Sequence, residues 1–181
     1  EFENITLIKN EGPFAGTCYI LIAPSGAGKS TFTKELDAEH FSWDALRLEW
    51  YTPQEARYHA AYEEMDRYHA AYEASTKDKD FNQKAARRFI DLITTGRDVV
   101  VDNINVSTKR RAFFITEAHK RGYKVVGVLF PIDKATLLMR QQARQDKNIP
   151  EKAVLNHYRS LTLPHLDDFD EVWVLDSNLP K

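Results

Sequence analysis

Residues 23 to 30 read Ala-Pro-Ser-Gly-Ala-Gly-Lys-Ser, a small residue and four intervening positions ahead of Gly28-Lys29-Ser30. Residue types at this spacing suit an anion. Gly26 and Gly28 let the backbone come close and turn successive N–H groups toward phosphate oxygens, and the helix expected to follow presents its positive N-terminus. Lys29 adds a movable cation, Ser30 offers a hydroxyl to magnesium, and Ser25, Ala27 and Thr31 complete the cradle. The pattern is that of a phosphate-binding P-loop, and it predicts ATP with Mg2+ as the ligand. Ala23 stands where glycine is commoner, which a backbone at negative φ tolerates.

A cradle for phosphate does not say where the phosphate goes, and the next polar residues bear on that. In Ser42-Trp-Asp-Ala-Leu-Arg47, Asp44 and Arg47 are three residues apart at an expected helix start, hence on neighbouring faces. A protonated alcohol is a poor nucleophile, so Asp44 is a candidate to accept its proton, and Arg47 to grip a nearby phosphate. An acidic helix cap with a surface arginine is the alternative. Asp102 ends the run Val99-Val-Val101, where a carboxylate can hold magnesium through water or orient an acceptor. Arg110 and Arg111 lie early in the next expected helix, against the macrodipole; a neighbouring anion or a salt bridge would relieve that cost. Arg140 and Arg144 are four apart on one helix face, beside the polar segment 145–148, and suit a short lid over transferring phosphate at about 140–150.

These residues need a scaffold that brings them to one edge. Thr17 to Ala23 is an apolar run rich in strand formers, and Ser30 to Ala38 is helix-compatible. His40 to Trp43 suits a brief strand. From Asp98 onward the alternation is regular: strand at Val99–Val101, helix at Ser107–Arg121, strand at Lys124–Phe130, helix at Lys134–Gln145, a further helix from Pro150 and a last strand at Glu171–Leu175. Strands alternating with helices predict an α/β fold: a central parallel β-sheet with helices on both faces. Gly16 and Gly122 fall where connections should turn. Residues 52–96 form a helical insertion on the expected acceptor side, with Tyr58, Tyr62, Met65, His69 and Tyr72 spaced as one apolar seam and a second helix over Phe81–Thr95. Arg-Tyr-His-Ala-Ala-Tyr-Glu occurs at 57–63 and again at 67–73; ten residues at about 100° each turn the copies apart, so they are a local duplication within a helix.

Composition narrows the setting. At 181 residues the chain fits a single α/β domain, and 43% apolar residues supply a core. A net charge of −2 gives no basic coat for long duplex DNA, so any nucleic-acid contact is local. Cys18 is the only cysteine, which removes disulfide frameworks and cysteine-based zinc sites and points to a reducing compartment, the cytoplasm. No apolar run reaches membrane-spanning length, and the opening residues from Glu1-Phe2 are too polar for a signal peptide. They are given no functional weight.

Taken in order, the P-loop, Trp43-Asp-Ala-Leu-Arg47, Val101-Asp-Asn-Ile-Asn105 with Arg110-Arg111, Arg140-Gln-Gln-Ala-Arg144 and Ile149-Pro150 resemble the phage-type polynucleotide kinase family of P-loop phosphotransferases. The resemblance covers nearly the whole chain. It implies a P-loop kinase fold in which Lys29 and Ser30 hold ATP and magnesium, Asp44 is the general base, Arg47 contacts a substrate phosphate, Asp102 supports the site and Arg144 contacts the donor phosphates. It likewise makes Asn105 and Arg111 substrate-side candidates. The implied partner is a nucleic acid, DNA or RNA, presenting a 5′-hydroxyl at a strand end or single strand. Trp43, Trp50 and Tyr51 are candidates to stack on its bases, with buried packing as the alternative. The competing acceptors are a hydroxymethyl group on a modified DNA base, which must leave the stack to react, and a small nucleoside. A nucleotide-binding switch is a further alternative, although a switch has no need of Asp44.

Overall fold

The computed structural model describes residues 4–8, 12–23, 29–52, 64–105, 107–131, 134–143, 149–159 and 168–175. Strands β1 (Asn4–Ile8), β2 (Thr17–Ile22), β3 (Glu39–Phe41), β4 (Val99–Val101), β5 (Lys124–Leu129) and β6 (Glu171–Leu175) form one sheet in the order β1-β6-β5-β2-β4-β3. All neighbours are parallel except β1, which runs antiparallel to β6 with Asn4 opposite Leu175 and Ile8 opposite Glu171. The opening residues thus supply an edge strand that the sequence reading passed over.

The parallel strands read as continuous apolar runs because both faces are covered. Alternate residues go to opposite sides: Cys18, Ile20, Ile22, Val99 and Val101 join one core cluster, while Leu21, Val100, Val126 and Val128 join a second. Against the first cluster pack α2 (Trp43–Tyr51) through Leu46, α4 (Phe81–Leu92) through Phe81, Ala85 and Phe89, and α5 (Thr108–Lys120) through Phe114, Ile115 and Ala118. The second is closed by Phe32 of α1 (Lys29–Glu35), edge-on to Phe130 at 5.8 Å. The expected layering of helices on both faces is what the structure shows. The remaining helices are α3 (Glu64–Thr76), α6 (Lys134–Ala143) and α7 (Glu151–Arg159).

Strand order sets the site. From β2 in the middle, the chain crosses to β3 at the far edge, returns to β4 between them, and only then moves to β5 on the other side of β2. A crevice therefore opens beyond the carboxyl ends of β2 and β4, where open α/β sheets hold their ligands.

Local chemistry fixes several element ends. Ser42 is extended, at φ −151°, and its hydroxyl accepts from the Ala45 N–H at 3.2 Å, so α2 begins at Trp43 and β3 stops at Phe41, earlier than expected. Gly122 ends α5 in the left-handed region at φ +75°, its N–H donating to His119 O at 3.0 Å. The expected tyrosine seam differs more. Tyr58 and Tyr62 lie outside the described residues; on α3, His69 and Tyr72 are exposed, and the buried positions are Ala71 and Ser75, one turn apart. Small residues let α3 lie close against α2.

Gly127 in β5 has no room for a side chain: a Cβ there would meet the buried Phe169 ring at 2.9 Å. Gly127→Ala should therefore cost about 1–3 kcal/mol through forced displacement in a packed core. Urea unfolding should show a lower midpoint at an unchanged slope.

Candidate active site

Lys29 opens α1 directly behind the central strand, and its ammonium reaches across to the end of β4. Nζ lies 3.4 Å from Asp102 Oδ1 and donates to Asn103 O at 3.3 Å, with its side chain 15% exposed. Asp102 also has His40 Nε2 3.0 Å from Oδ2, and its own N–H donates to Phe41 O at 2.7 Å. Burial pushes the Asp102 pKa up, but the His40 hydrogen bond and the Lys29 charge outweigh it and hold the carboxyl below its ordinary value. The carboxylate is thus ionised and poised between the Lys29 ammonium and the His40 ring at the mouth of the crevice.

The loop after β4 is built as a bracket. The Ala23 N–H donates to Ile104 O at 3.3 Å, and the Asn105 amide donates to Leu21 O at 3.0 Å and Val101 O at 3.3 Å, tying the ends of β2 and β4 together. Asn105 has φ +47°, a left-handed conformation that asparagine tolerates better than most side chains. It is 2% exposed, and Arg111 is 1% exposed with Nη1 donating to Asn105 O at 3.0 Å. Both residues were expected to contact substrate; the structure puts them inside. Arg111 satisfies a buried carbonyl, burial lowering its pKa against the field of Asp168, and Asn105 satisfies strand-end carbonyls. They support the loop that carries Asp102.

The acceptor side begins at α2. Trp43 N–H donates to Asn103 Oδ1 at 2.9 Å, so the loop after β4 holds the first turn of α2 directly. Asp44 lies in that turn, and its Oδ1 accepts from Arg47 Nη1 at 3.1 Å; the two side chains are 33% and 19% exposed. Arg47 Nε donates to Ser75 Oγ of α3 at 3.2 Å, and the guanidinium carbon lies 5.0 Å from the Tyr72 ring centre and 4.9 Å from that of Phe81. Lys29, Asn103, Trp43, Asp44 and Arg47 therefore form one connected line from the donor side to the acceptor side.

Asn103 is the residue that the sequence reading missed. Its Oδ1 is identified by the Trp43 N–H that it accepts, which leaves Nδ2 as the second atom of the amide, buried and without a hydrogen-bond partner among the described residues. Its place directly after Asp102 in Asp-Asn-Ile-Asn was the available signal, but spacing alone does not say which asparagine faces the crevice. His40 carried no signal, since its role depends on β3 lying beside β4.

Other expected residues divide by position. Ser30 and Thr31 are exposed on the first turn of α1, where Ser30 O accepts from Thr33 Oγ1 at 3.0 Å. Arg140 is half-buried on α6. Ser25, Gly26, Ala27, Gly28 and Arg144 lie outside the described residues. Trp43 packs near Phe114 at 6.2 Å and Trp50 near Phe81 at 6.3 Å; Tyr51 lies 5.8 Å from Phe81 and its hydroxyl donates to Asp78 at 2.6 Å. Packing, the alternative weighed for these aromatics, is what the structure shows.

Among the described residues no group of three or more His, Cys, Asp or Glu side chains could hold a metal. Magnesium bound chiefly through substrate phosphates and water asks for only one or two protein oxygens, which Ser30 and Asp102 can provide. No helix among the described residues is long and apolar enough to cross a membrane.

Comparison with known proteins gives the family. The family model described as an AAA domain matches residues 19–164. Among curated proteins nothing matches significantly. Solved structures that are similar include a gluconokinase from Sinorhizobium meliloti 1021, 17% identical over 93% of this chain and 86% of that one, with a TM-score of 0.54. Kti12 from Chaetomium thermophilum, solved with ADP-AlF3, is 11% identical over 89% of each chain, with a TM-score of 0.59. A chain of the Pnkp1/Rnl/Hen1 complex is 18% identical over 73% of this chain and 41% of its own, with a TM-score of 0.51. At these identities the likeness is one of fold. With a family model spanning most of its length, the chain belongs to the AAA domain family, and its α/β fold of mostly parallel strands flanked by helices is that of a P-loop kinase domain.

Proposed function

We propose that this chain is an ATP- and magnesium-dependent kinase that phosphorylates a hydroxyl of a nucleic acid, the 5′-hydroxyl of DNA or RNA. The observation that carries the proposal is the hydrogen-bonded line through Asn103, which sets Lys29 on one side and Asp44 on the first turn of α2 on the other. A nucleotide switch has no use for a carboxylate held there.

In the reaction the bond between the γ-phosphorus and its bridging oxygen breaks, a bond to the acceptor oxygen forms, and the hydroxyl proton passes to Asp44. Arg47 Nη1, donating to Asp44 Oδ1, holds that carboxylate in place. That suits a loose transition state, in which the nucleophile gives up its proton late and the main demand is placing charge and atoms. Lys29 would follow the charge that builds on the phosphate oxygens, handed over from Asp102 and Asn103 O. Ser30 and Asp102 would hold magnesium, which when bound neutralises phosphate charge.

The fold-level neighbours support phosphotransfer but differ in acceptor, one being named a gluconokinase. A hydroxymethylated DNA base or a small nucleoside is the competing acceptor. The test is a panel with labelled ATP and magnesium: 5′-hydroxyl DNA and RNA oligonucleotides, hydroxymethyl-bearing DNA, nucleosides and gluconate. Label at the 5′ end of an oligonucleotide is the expected result. Label only on a base, nucleoside or sugar would replace the acceptor, and no transfer to any would reject the kinase.

A further inference from the structure

A cleft of about 220 Å³ opens beside Arg47, between the end of α3 and the start of α4. We propose that it receives one heterocyclic base of the acceptor, stacked against Tyr72, next to the hydroxyl that Asp44 serves. The proposal rests on the nucleic-acid kinase reading and names which part of that substrate the helical insertion recognises.

Three observations fit this occupant. Tyr72 is 46% exposed although its ring lies against Arg47, so an aromatic surface is left open to a flat ligand. Arg47 is held rigidly: Nε is committed to Ser75 Oγ and Nη1 to Asp44 Oδ1, and Nη2 has no hydrogen-bond partner among the described residues. That atom remains available to the polar edge of a ligand. Lys79 and Asn82, both exposed, line the same cleft with further polar groups. The volume falls below the roughly 300–1,000 Å³ of pockets that enclose drug-sized ligands, and so suits one ring system.

Position separates this cleft from the donor site. Among the described residues it joins Asp44 through the Arg47 ion pair at 3.1 Å, whereas Lys29 reaches Asp44 by way of Asn103 and the backbone of Trp43. A base in the cleft would fix the acceptor by its own ring and leave the hydroxyl free to turn toward Asp44. The sequence reading assigned stacking to Trp43, Trp50 and Tyr51, which are spent on packing; Tyr72 presents the open ring.

The test is equilibrium binding, without ATP, of a 3′-dye-labelled trinucleotide carrying a 5′-hydroxyl, beside a trinucleotide whose 5′ residue lacks its base. The base-bearing form should bind about tenfold or more tighter, the order that base–aromatic stacking provides. Tyr72→Ala should shrink that gap to less than about twofold, and Tyr72→Phe should retain it. Far-UV circular dichroism establishes that both variants fold. Equal binding of the two ligands by the wild-type protein, no binding of either, or a gap that survives Tyr72→Ala would each overturn the proposal. These outcomes are separate from the acceptor panel: transfer without base discrimination sinks the cleft alone, and discrimination without transfer sinks the kinase.

Discussion

Asp44→Asn is expected to lower phosphoryl transfer by about 10²- to 10⁴-fold, the range in which a positioned general base contributes, with ATP affinity kept within about twofold. The substitution preserves shape and removes the negative charge together with the capacity to take a proton. An amide oxygen at the same place can still accept from Arg47 Nη1, so the guanidinium keeps its bonds to Ser75 and its ring contacts. The first turn of α2 keeps its Ser42 cap and the Asn103 bond to Trp43 N–H. What is lost structurally is a carboxylate near a helix N-terminus, about 0.3–1 kcal/mol. A fall in transfer far beyond that cost, measured by single turnover beside equilibrium ATP binding, would isolate the chemical role. Unchanged turnover would remove Asp44 from the mechanism.

Lys29→Ala should damage the donor side instead, lowering kcat/KM for ATP by about 10²- to 10³-fold, as losing one fixed charge-stabilising donor does. The ammonium now bridges Asp102 and Asn103 O, so the variant also leaves the Asp102 carboxylate with the His40 ring beside it. Lys29→Arg should not restore activity, because a planar fork does not replace a compact ammonium between a carboxylate and a backbone carbonyl. Thermal unfolding gives an independent reading. Ligand at about 100 times its dissociation constant stabilises by about 2.7 kcal/mol, and ATP with magnesium should raise the melting temperature of the wild-type protein far more than that of Lys29→Ala. Equal shifts would show that the nucleotide is held elsewhere.

The contrast between these variants follows from how the site is assembled, and so does what could be read before folding. Runs such as Val99–Val101 and Lys124–Leu129 announce buried parallel strands because both faces of each are apolar, and their alternation with helices announces the layers. Strand order is different in kind: it is decided by pairings between residues far apart, such as Cys18 with both Val99 and Val125, which no local period encodes. The β1 edge strand escaped for the same reason, since five residues paired antiparallel with β6 look unremarkable until β6 is beside them.

At the site, side-chain type was informative and orientation was not. Lys29 and Asp102 meet because β2 and β4 are neighbours, a pairing that residue spacing did not announce. Arg111 looked like a cation facing an anion because arginine is poorly placed at a helix start; its long stem instead turns inward to a carbonyl that the bend at Asn105 leaves unpaired by strand partners. Helix α3 misled through tyrosine, whose ring counts as apolar in a periodic pattern yet sits comfortably at a surface. The face that α3 buries carries Ala71 and Ser75, and Ser75 is the residue that anchors Arg47.

The central claim is that one crevice holds a nucleotide's terminal phosphate at Lys29 and an acceptor hydroxyl at Asp44. A crystal structure with a non-hydrolysable ATP analogue, magnesium and a 5′-hydroxyl oligonucleotide tests it most directly. The expected result has the terminal phosphate on Lys29 and the 5′ oxygen within about 2.6–3.2 Å of an Asp44 carboxylate oxygen. A 5′ end seated away from Asp44, or a γ-phosphate seated away from Lys29, would contradict it.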